Sequence, residues 1–254
     1  MAKIISVVNQ KGGVGKTTTA VNLSAALGQL GHRVLLVDID PQGNSTSGFG
    51  INKRAISLSS YEIITNQANI EDAIVETSAE NVWILPSNMN LAGAEIEIIE
   101  VEKRESILKT ALLKISDRFD YIFIDCPPSL GLITLNSLCA SDTFLVPIQC
   151  EYYSLEGLSQ LMSTVRQIKR RYNPYLELES VLLTMYDGRL NLTQQVVAEV
   201  KKFFPNKVFA TVIPRNVRLS EAPSFGQPVI YYDRRSQGAE SYIRLAQEFL
   251  SKQK

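Results

Sequence analysis

Residues 11–18 read Lys11-Gly-Gly-Val-Gly-Lys-Thr-Thr18, and this glycine-rich turn decides the fold. The ordinary phosphate-binding loop is glycine, four variable residues, glycine, lysine and a hydroxyl residue. Gly15, Lys16 and Thr17 satisfy its second half, but the opening glycine falls on position 10, which is Gln10. A second cation, Lys11, stands instead at the loop's tip, followed by Gly12 and Gly13. Placed beside the phosphates yet turned away from its own helix, Lys11 points to a charge offered to a neighbouring subunit's nucleotide.

The flanks supply the context that such a motif needs. Residues 4–8 form a short apolar, β-branched run of the kind found in buried parallel strands. From Thr18 to Leu30, Ala20, Leu23, Leu27 and Leu30 recur at helical spacing, and Gly31 follows where a helix stops in a left-handed residue. A turn between strand and helix presents backbone N–H groups and the helix's positive end to an anion. Gly12, Gly13, Val14, Gly15 and Thr18 would form that cradle. Lys16 would neutralise β/γ-phosphate charge and the Thr17 hydroxyl would ligate Mg²⁺.

Farther out, apolar runs alternate with helical periodicity along the whole chain. Strands are expected at 4–8, 34–38, 82–86, 121–125, 143–147, 181–184 and 208–213. Helices are expected at 22–30, 104–118, 156–171, 193–204 and 241–250. This alternation predicts an α/β, doubly wound, mostly parallel twisted sheet with helices on both faces. Residues 43–80 are polar and weakly patterned, and read as a surface insertion with short helices. Without a linker or repeat, residues 1–254 read as a single domain with no separate N-terminal DNA-binding unit.

Composition narrows the function. The 254 residues carry 26 basic and 26 acidic side chains, so nucleic-acid binding would need a local patch. No apolar run approaches the roughly 18 residues of a membrane span, and no signal peptide precedes the loop, which predicts a cytoplasmic protein. Cys126, Cys139 and Cys150 form no Cys-x-x-Cys pair, and His32 is the single histidine, which argues against zinc or His-based chemistry. Cys126 reads as a small buried residue. Trp83 and the tyrosines at 152, 153, 231 and 232 read as core or interface packing.

Two further strands end in carboxylates. Val34–Asp38 runs into Ile39-Asp40-Pro41, and Tyr121-Ile-Phe-Ile-Asp125 ends at a carboxylate positioned to hold Mg²⁺. Ligands bind at the carboxyl ends of strands in open α/β sheets. Asp40 could therefore orient an attacking water, with Asp38 helping to hold the metal shell.

Taken with the loop, Val37-Asp-Ile-Asp-Pro-Gln-Gly43 and Asp125-Cys-Pro-Pro-Ser-Leu-Gly131 resemble the deviant Walker A ATPases of the ParA/MinD superfamily. Gln149-Cys-Glu-Tyr-Tyr-Ser-Leu-Glu-Gly157, Leu183-Thr-Met-Tyr-Asp-Gly-Arg189 and Ile213-Pro-Arg-Asn-Val-Arg-Leu-Ser-Glu-Ala-Pro223 are similar to its ParA/Soj branch. The resemblance runs over residues 2–250. It implies ATP and Mg²⁺ as cofactors and a sandwich homodimer with two nucleotides at the interface. Lys11 would reach the partner's phosphates and Gly12 would mark the closest approach of the two loops. Glu151 would lie near the interface and Pro214, Arg215 and Asn216 would hold the adenine. Asp40 and Asp125 keep the roles given above.

The branch also implies non-specific duplex DNA as a ligand, contacted through Arg189 and Arg218. It implies hydrolysis stimulated by a ParB-type centromere-binding partner, and nucleoid association. The denser run Arg166, Lys169, Arg170 and Arg171 closes a helix whose C-terminus favours cations in any case. Lys201-Lys202 and Arg234-Arg235 stay open in this respect. An alternative is a MinD-like membrane-cycling ATPase, but residues 241–254 carry only three cations and read as a packed helix. A cluster carrier like the nitrogenase iron protein would need cysteines in other contexts. A ligase of biotin or cobalamin metabolism would share the fold without the Arg215–Pro223 segment.

Overall fold

In the computed structural model, which describes residues 1–151 and 154–253, the chain forms a seven-stranded sheet. The strands are β1 (Lys3–Val7), β2 (Val34–Asp38), β3 (Val75–Glu76), β4 (Val82–Leu85), β5 (Tyr121–Asp125), β6 (Thr143–Gln149) and β7 (Glu177–Thr184). They lie in the order β3-β4-β2-β5-β1-β6-β7, parallel except for the antiparallel edge strand β3. The order reverses beside β1, so the loop leaving that strand opens into the crevice where such sheets bind ligands.

Both faces are buried, which is why these strands read as continuous apolar runs. Ile5, Val7, Leu36 and Phe123 face one core cluster, while Ile4, Leu35, Val37, Ile122 and Ile124 face the other, following the two-residue period of a strand. Helices α1 (Lys16–Gln29) and α12 (Gln237–Ser251) pack on the first face through Leu23, Leu27, Tyr242 and Phe249. Gly28 lets α1 lie close against the sheet, since a Cβ there would meet Glu80 O at 2.2 Å and Val82 Cγ2 at 2.6 Å. Gly31 ends this helix region at φ +90°, the left-handed stop that its sequence called for.

The opposite face is covered by α3 (Ser60–Ile64), α5 (Leu91–Glu97), α6 (Ile107–Leu113), α7 (Leu132–Ala140), α8 (Ser154–Arg171) and α9 (Asn191–Phe203). Short helices α2 (Asn44–Gly48), α4 (Ile70–Ala73), α10 (Val217–Glu221) and α11 (Val229–Tyr232) complete the chain. Trp83 packs edge-on to Phe119 and Cys126 is buried, as expected. Tyr231 accepts a hydrogen bond from Glu80 N and Tyr232 stacks on Phe225; Tyr152 and Tyr153 lie outside the described residues.

Three expectations are corrected. Residues 208–213 are not a strand. They touch β7 only through a bridge at Val208 and hydrogen bonds at either end, because Glu248 of α12 takes the intervening amides of Ala210 and Thr211 at 2.7 and 2.8 Å. The helix expected at 104–118 is one 3₁₀ turn followed by α6. It unwinds once Lys114 N and Ile115 N turn back to i−3 carbonyls. Residues 43–80 do form short helices, but Ser45, Thr46, Ser59, Ser60, Ile63 and Ile64 are buried, so this segment is no surface insertion. The two-residue β3 lacked any periodic signal, and α12 starts four residues early because Ser236 caps it by accepting Ala239 N.

Candidate active site

The loop after β1 owes its shape to two left-handed glycines, Gly13 at φ +74° and Gly15 at φ +86°. Gly15 is also the N-cap of α1, and it provides no side-chain cap; the first turn carries no acidic residue. The leading amides of α1 are thus left for a ligand rather than consumed by the fold. Two hydrogen bonds brace the loop from outside. The Thr184 hydroxyl at the end of β7 donates to Val14 O at 2.8 Å, and Asn9 accepts Lys11 N while donating to Pro147 O of β6.

Lys16 is buried and its ammonium donates to Lys11 O at 3.0 Å. Burial lowers its pKa, against the opposing pull of Asp125, Cys126 and Asp40. A desolvated ammonium in an open cradle of amides is matched to a polyanion. Lys11 behaves differently. Its half-exposed ammonium leaves the loop for the Glu151 carboxylate, 2.6 Å away. A Cβ built on Gly12, beside it, meets nothing within 4 Å of its own chain.

Beneath the loop the adjacent strands β2 and β5 bring Asp38 and Asp125 into register. Both are fully buried. Burial raises both pKa values, and the charge of Asp125 raises that of Asp38 further. Asp38 spends its oxygens inside the protein, on Thr46 N and Oγ1 at 2.8 and 2.7 Å and on Asp40 N at 3.2 Å. It is therefore an internal tie, not an open metal ligand. Asp125 receives the Ser45 hydroxyl on Oδ2 at 2.7 Å. Its Oδ1 is buried and makes no hydrogen bond of normal geometry, although the Thr17 hydroxyl helps to lower its pKa.

Magnesium in phosphate sites keeps several waters and one or two protein ligands, so a full protein cage is not required. No group of three or more His, Cys, Asp or Glu side chains placed to hold a metal ion occurs among the described residues. The orphaned Asp125 oxygen next to the Thr17 hydroxyl fits that half-open arrangement. Asp40 sits one turn beyond, buried, its carboxylate accepting Gln42 N at 2.9 Å.

A cavity of about 290 Å³ adjoins the loop at Gly15 and Thr18 and runs between Met185, Pro214 and Asn216 to Tyr242. Its size and its mixed apolar and amide walls suit a planar base. Asn216 caps α10 by accepting Arg218 N, and Arg215 is exposed at the rim. The two arginines singled out for DNA flank the same rim: Tyr186 bridges to Pro214, and Arg218 follows Asn216 by two residues. Each is held by carboxylates of its own chain. Arg189 pairs with Asp187 at 2.7 Å, while Arg218 pairs with Glu221 at 2.7 Å and Asp233 at 3.1 Å.

The structure thus gathers Lys16, Thr17, Asp40 and Asp125 around one crevice, with Pro214–Asn216 at its side. Lys11, Gly12 and Glu151 lie together at the outer tip. Ser45, Thr46, Thr184 and Met185 were not foreseen as site residues. Nothing in the polar run after Gly43 distinguishes the two hydroxyls that turn inward, and only the strand-end position of Thr184 hinted at its role.

Together these features define the class, a P-loop nucleotide-binding protein built on a doubly wound α/β sheet. A model of the AAA domain family matches residues 2–178. The sporulation initiation inhibitor protein Soj of Bacillus subtilis is 58% identical over 248 residues, 98% of both chains. The chromosome partitioning protein ParA of Myxococcus xanthus is 50% identical over 252 residues, 99% of this chain and 89% of that one. A Mycobacterium smegmatis structure described as cobyrinic acid a,c-diamide synthase with bound ADP and magnesium superposes at TM-score 0.87, with 37% identity over 98% of this chain and 94% of that one. The chain belongs to the ParA/Soj family of partitioning ATPases, within the ParA/MinD superfamily.

Proposed function

We propose that this protein is a DNA-segregating ATPase whose ATP-bound form is a sandwich dimer. The observation that carries the reading is the outward loop tip. Lys11 turns away from the loop into a half-exposed ion pair with Glu151, and a Cβ on Gly12 beside it would meet nothing of its own chain within 4 Å. A tip left open by its own fold is complementary to a second copy of itself.

In this reading the amides of residues 12–18 cradle the triphosphate, Lys16 neutralises the charge gathering on its β- and γ-groups, and Lys11 adds a cation from the facing subunit. Thr17 and Asp125 hold Mg²⁺, which supplies charge neutralisation on the phosphates when bound. Asp40 orients the water that attacks the γ-phosphorus, and the β–γ bridging oxygen leaves with ADP. Pro214, Arg215 and Asn216 form the base slot. The likeness to a magnesium–ADP structure supports this choice of ligands. Helix α12 commits its apolar face to α1, which favours segregation over the membrane-cycling alternative.

DNA would be held through Arg189 and Arg218, whose exposed ion pairs are of the weak, salt-screened kind that phosphate can displace. Dimerisation would double these contacts on one rigid body, making DNA binding ATP-dependent and indifferent to sequence. A ParB-type centromere-binding protein would stimulate turnover, and the dimers would associate with the nucleoid of the cytoplasm.

The decisive variant is Gly12→Val. Gly12 has neither a left-handed backbone nor a near neighbour in its own chain, so valine leaves the monomer undisturbed. ATP affinity by calorimetry and thermal stability are expected to stay close to wild type, while the ATP-dependent dimer disappears on gel filtration. A Gly12→Val dimer of normal affinity would refute the sandwich.

A further inference from the structure

The chain after α2 passes back over the turn that carries Asp40, and one side chain ties the two together. The half-buried Lys53 donates from its ammonium to the Gln42 carbonyl at 2.7 Å. Its stem lies across Gly43, where a Cβ would stand 2.6 Å from Lys53 Cδ and 2.6 Å from Ser87 O. Gly43, left-handed at φ +59°, is thus closed in between the lysine stem and the backbone that follows β4. A flexible ammonium at a surface is ordinarily left to water or paired with a carboxylate. The cavity of about 460 Å³ that Lys53 shares with Pro41, Gln42 and Asn88 has no carboxylate in its lining. A backbone carbonyl is what this lysine holds.

That carbonyl belongs to a peptide fixed at both ends. The unit joining Gln42 to Gly43 has its C=O on Lys53 and its N–H on Asp40 O at 2.8 Å, and a planar group held at two points cannot rotate. The N–H on the other side of Gln42 donates to Asp40 Oδ1 at 2.9 Å and sets the rotation of that carboxylate. A cation on the carbonyl also polarises its peptide, which strengthens the N–H as a donor. Lys53 therefore reaches Asp40 through the backbone of Gln42 and Gly43.

We propose that Lys53 is a positioning residue for hydrolysis, a strut that holds the Asp40 turn in the orientation that aims the attacking water. This rests on the reading of Asp40 given above. A small displacement of an orienting group slows the chemical step without weakening substrate binding, because the lost alignment matters only as the water attacks. Binding itself stays with the loop at residues 11–18.

The test is Lys53→Met in the full-length chain, with Lys53→Arg as the conservative variant and Arg54→Met as the charge control. Arg54 is exposed, lines the same cavity and donates only from its backbone, to Asn52 Oδ1. In Lys53→Met the kcat for hydrolysis of magnesium-ATP should fall about 5–20-fold, short of the roughly 100-fold that a full misplacement can cost. ATP affinity by calorimetry, thermal stability and the magnesium concentration giving half the maximal rate should stay at wild-type values. Lys53→Arg should recover most of the rate, and Arg54→Met should keep all of it. A normal kcat in Lys53→Met overturns the strut. An equal loss in Arg54→Met also overturns it, because the effect is then one of local charge. So does a raised magnesium requirement, which places the defect at Asp125, or a loss of rate that follows a loss of thermal stability. Full turnover in Asp40→Ala removes the underlying reading instead, and the strut with it.

Discussion

The carboxylate floor and the loop tip lie at opposite ends of the same crevice and are built on opposite terms. Asp38 and Asp125 are fully buried, strand-anchored and braced by Thr46 and Ser45. Lys11 and Glu151 are each about half exposed and are joined to each other by a single ion pair. The first region is over-determined by the fold; the second is left for another molecule to complete. In the proposed reading the carboxylates would be fixed within each chain, while assembly would rest on a contact that costs little to exchange.

Breaking the floor should produce the largest effects. Asp40→Ala removes the proposed water-orienting carboxylate without touching Lys16 or Thr17. Steady-state ATP hydrolysis should fall by about 100-fold, in the range typical of a lost general-base or positioning group. ATP-dependent dimerisation on gel filtration should persist. Loss of ATP binding would instead place Asp40 among the groups that hold the fold or the metal.

Thr46→Val keeps the side-chain shape and deletes the hydroxyl that donates to Asp38 and accepts Ser87 N. Stability should fall by about 1–3 kcal/mol, the cost of leaving buried polar groups short of a partner. Chemical denaturation checks this. An unchanged midpoint would show that the floor is less tightly braced than its geometry implies.

A pH series sharpens the contrast. Burial raises Asp38 to about 7, above its unfolded value. A raised carboxyl favours folding while protonated, so its contribution is full below the unfolded pKa and is lost as pH rises through the folded one. Ligand-free protein should therefore lose stability, read as a falling Tm, as pH rises through the folded-state titration of the Asp38–Asp125 pair. Asp38→Asn should flatten that slope. A slope unchanged by the substitution would assign it elsewhere.

The tip should respond least. Glu151→Gln frees Lys11 from its ion pair, and exposed pairs of this kind contribute little. ATP-dependent dimers should form about 2–5-fold more readily by light scattering, in keeping with a modest change in a surface charge. A loss of dimer would make Glu151 a cross-subunit contact in its own right.

Most of this architecture was legible because it is written in local patterns. The run at residues 34–38 and the loop at 11–18 announce buried strand and phosphate turn through residue type and spacing alone, and Gly31 marked its helix end. Two of the expectations failed where distant residues intervened. Glu248 strips amides from residues 208–213 across the fold, and no inspection of that segment reveals it. Ser45 and Thr46 lie in a run that looks solvated, yet they turn inward because two buried carboxylates need donors. Positions set by long-range hydrogen bonds were invisible; positions set by periodicity were not.

The Glu248 contact also bears on how copies of this chain meet. Burial alone would raise its carboxyl pKa, but the amides of Ala210 and Thr211 outweigh that and hold it low, so the contact is a charged one at neutral pH. It breaks up the segment flanking β7, while the far border of the sheet ends in the two exposed residues of β3. Neither border presents the long, flat row of amides and carbonyls on which strands from other molecules add in register. Growth into cross-β aggregates is thereby discouraged at both margins.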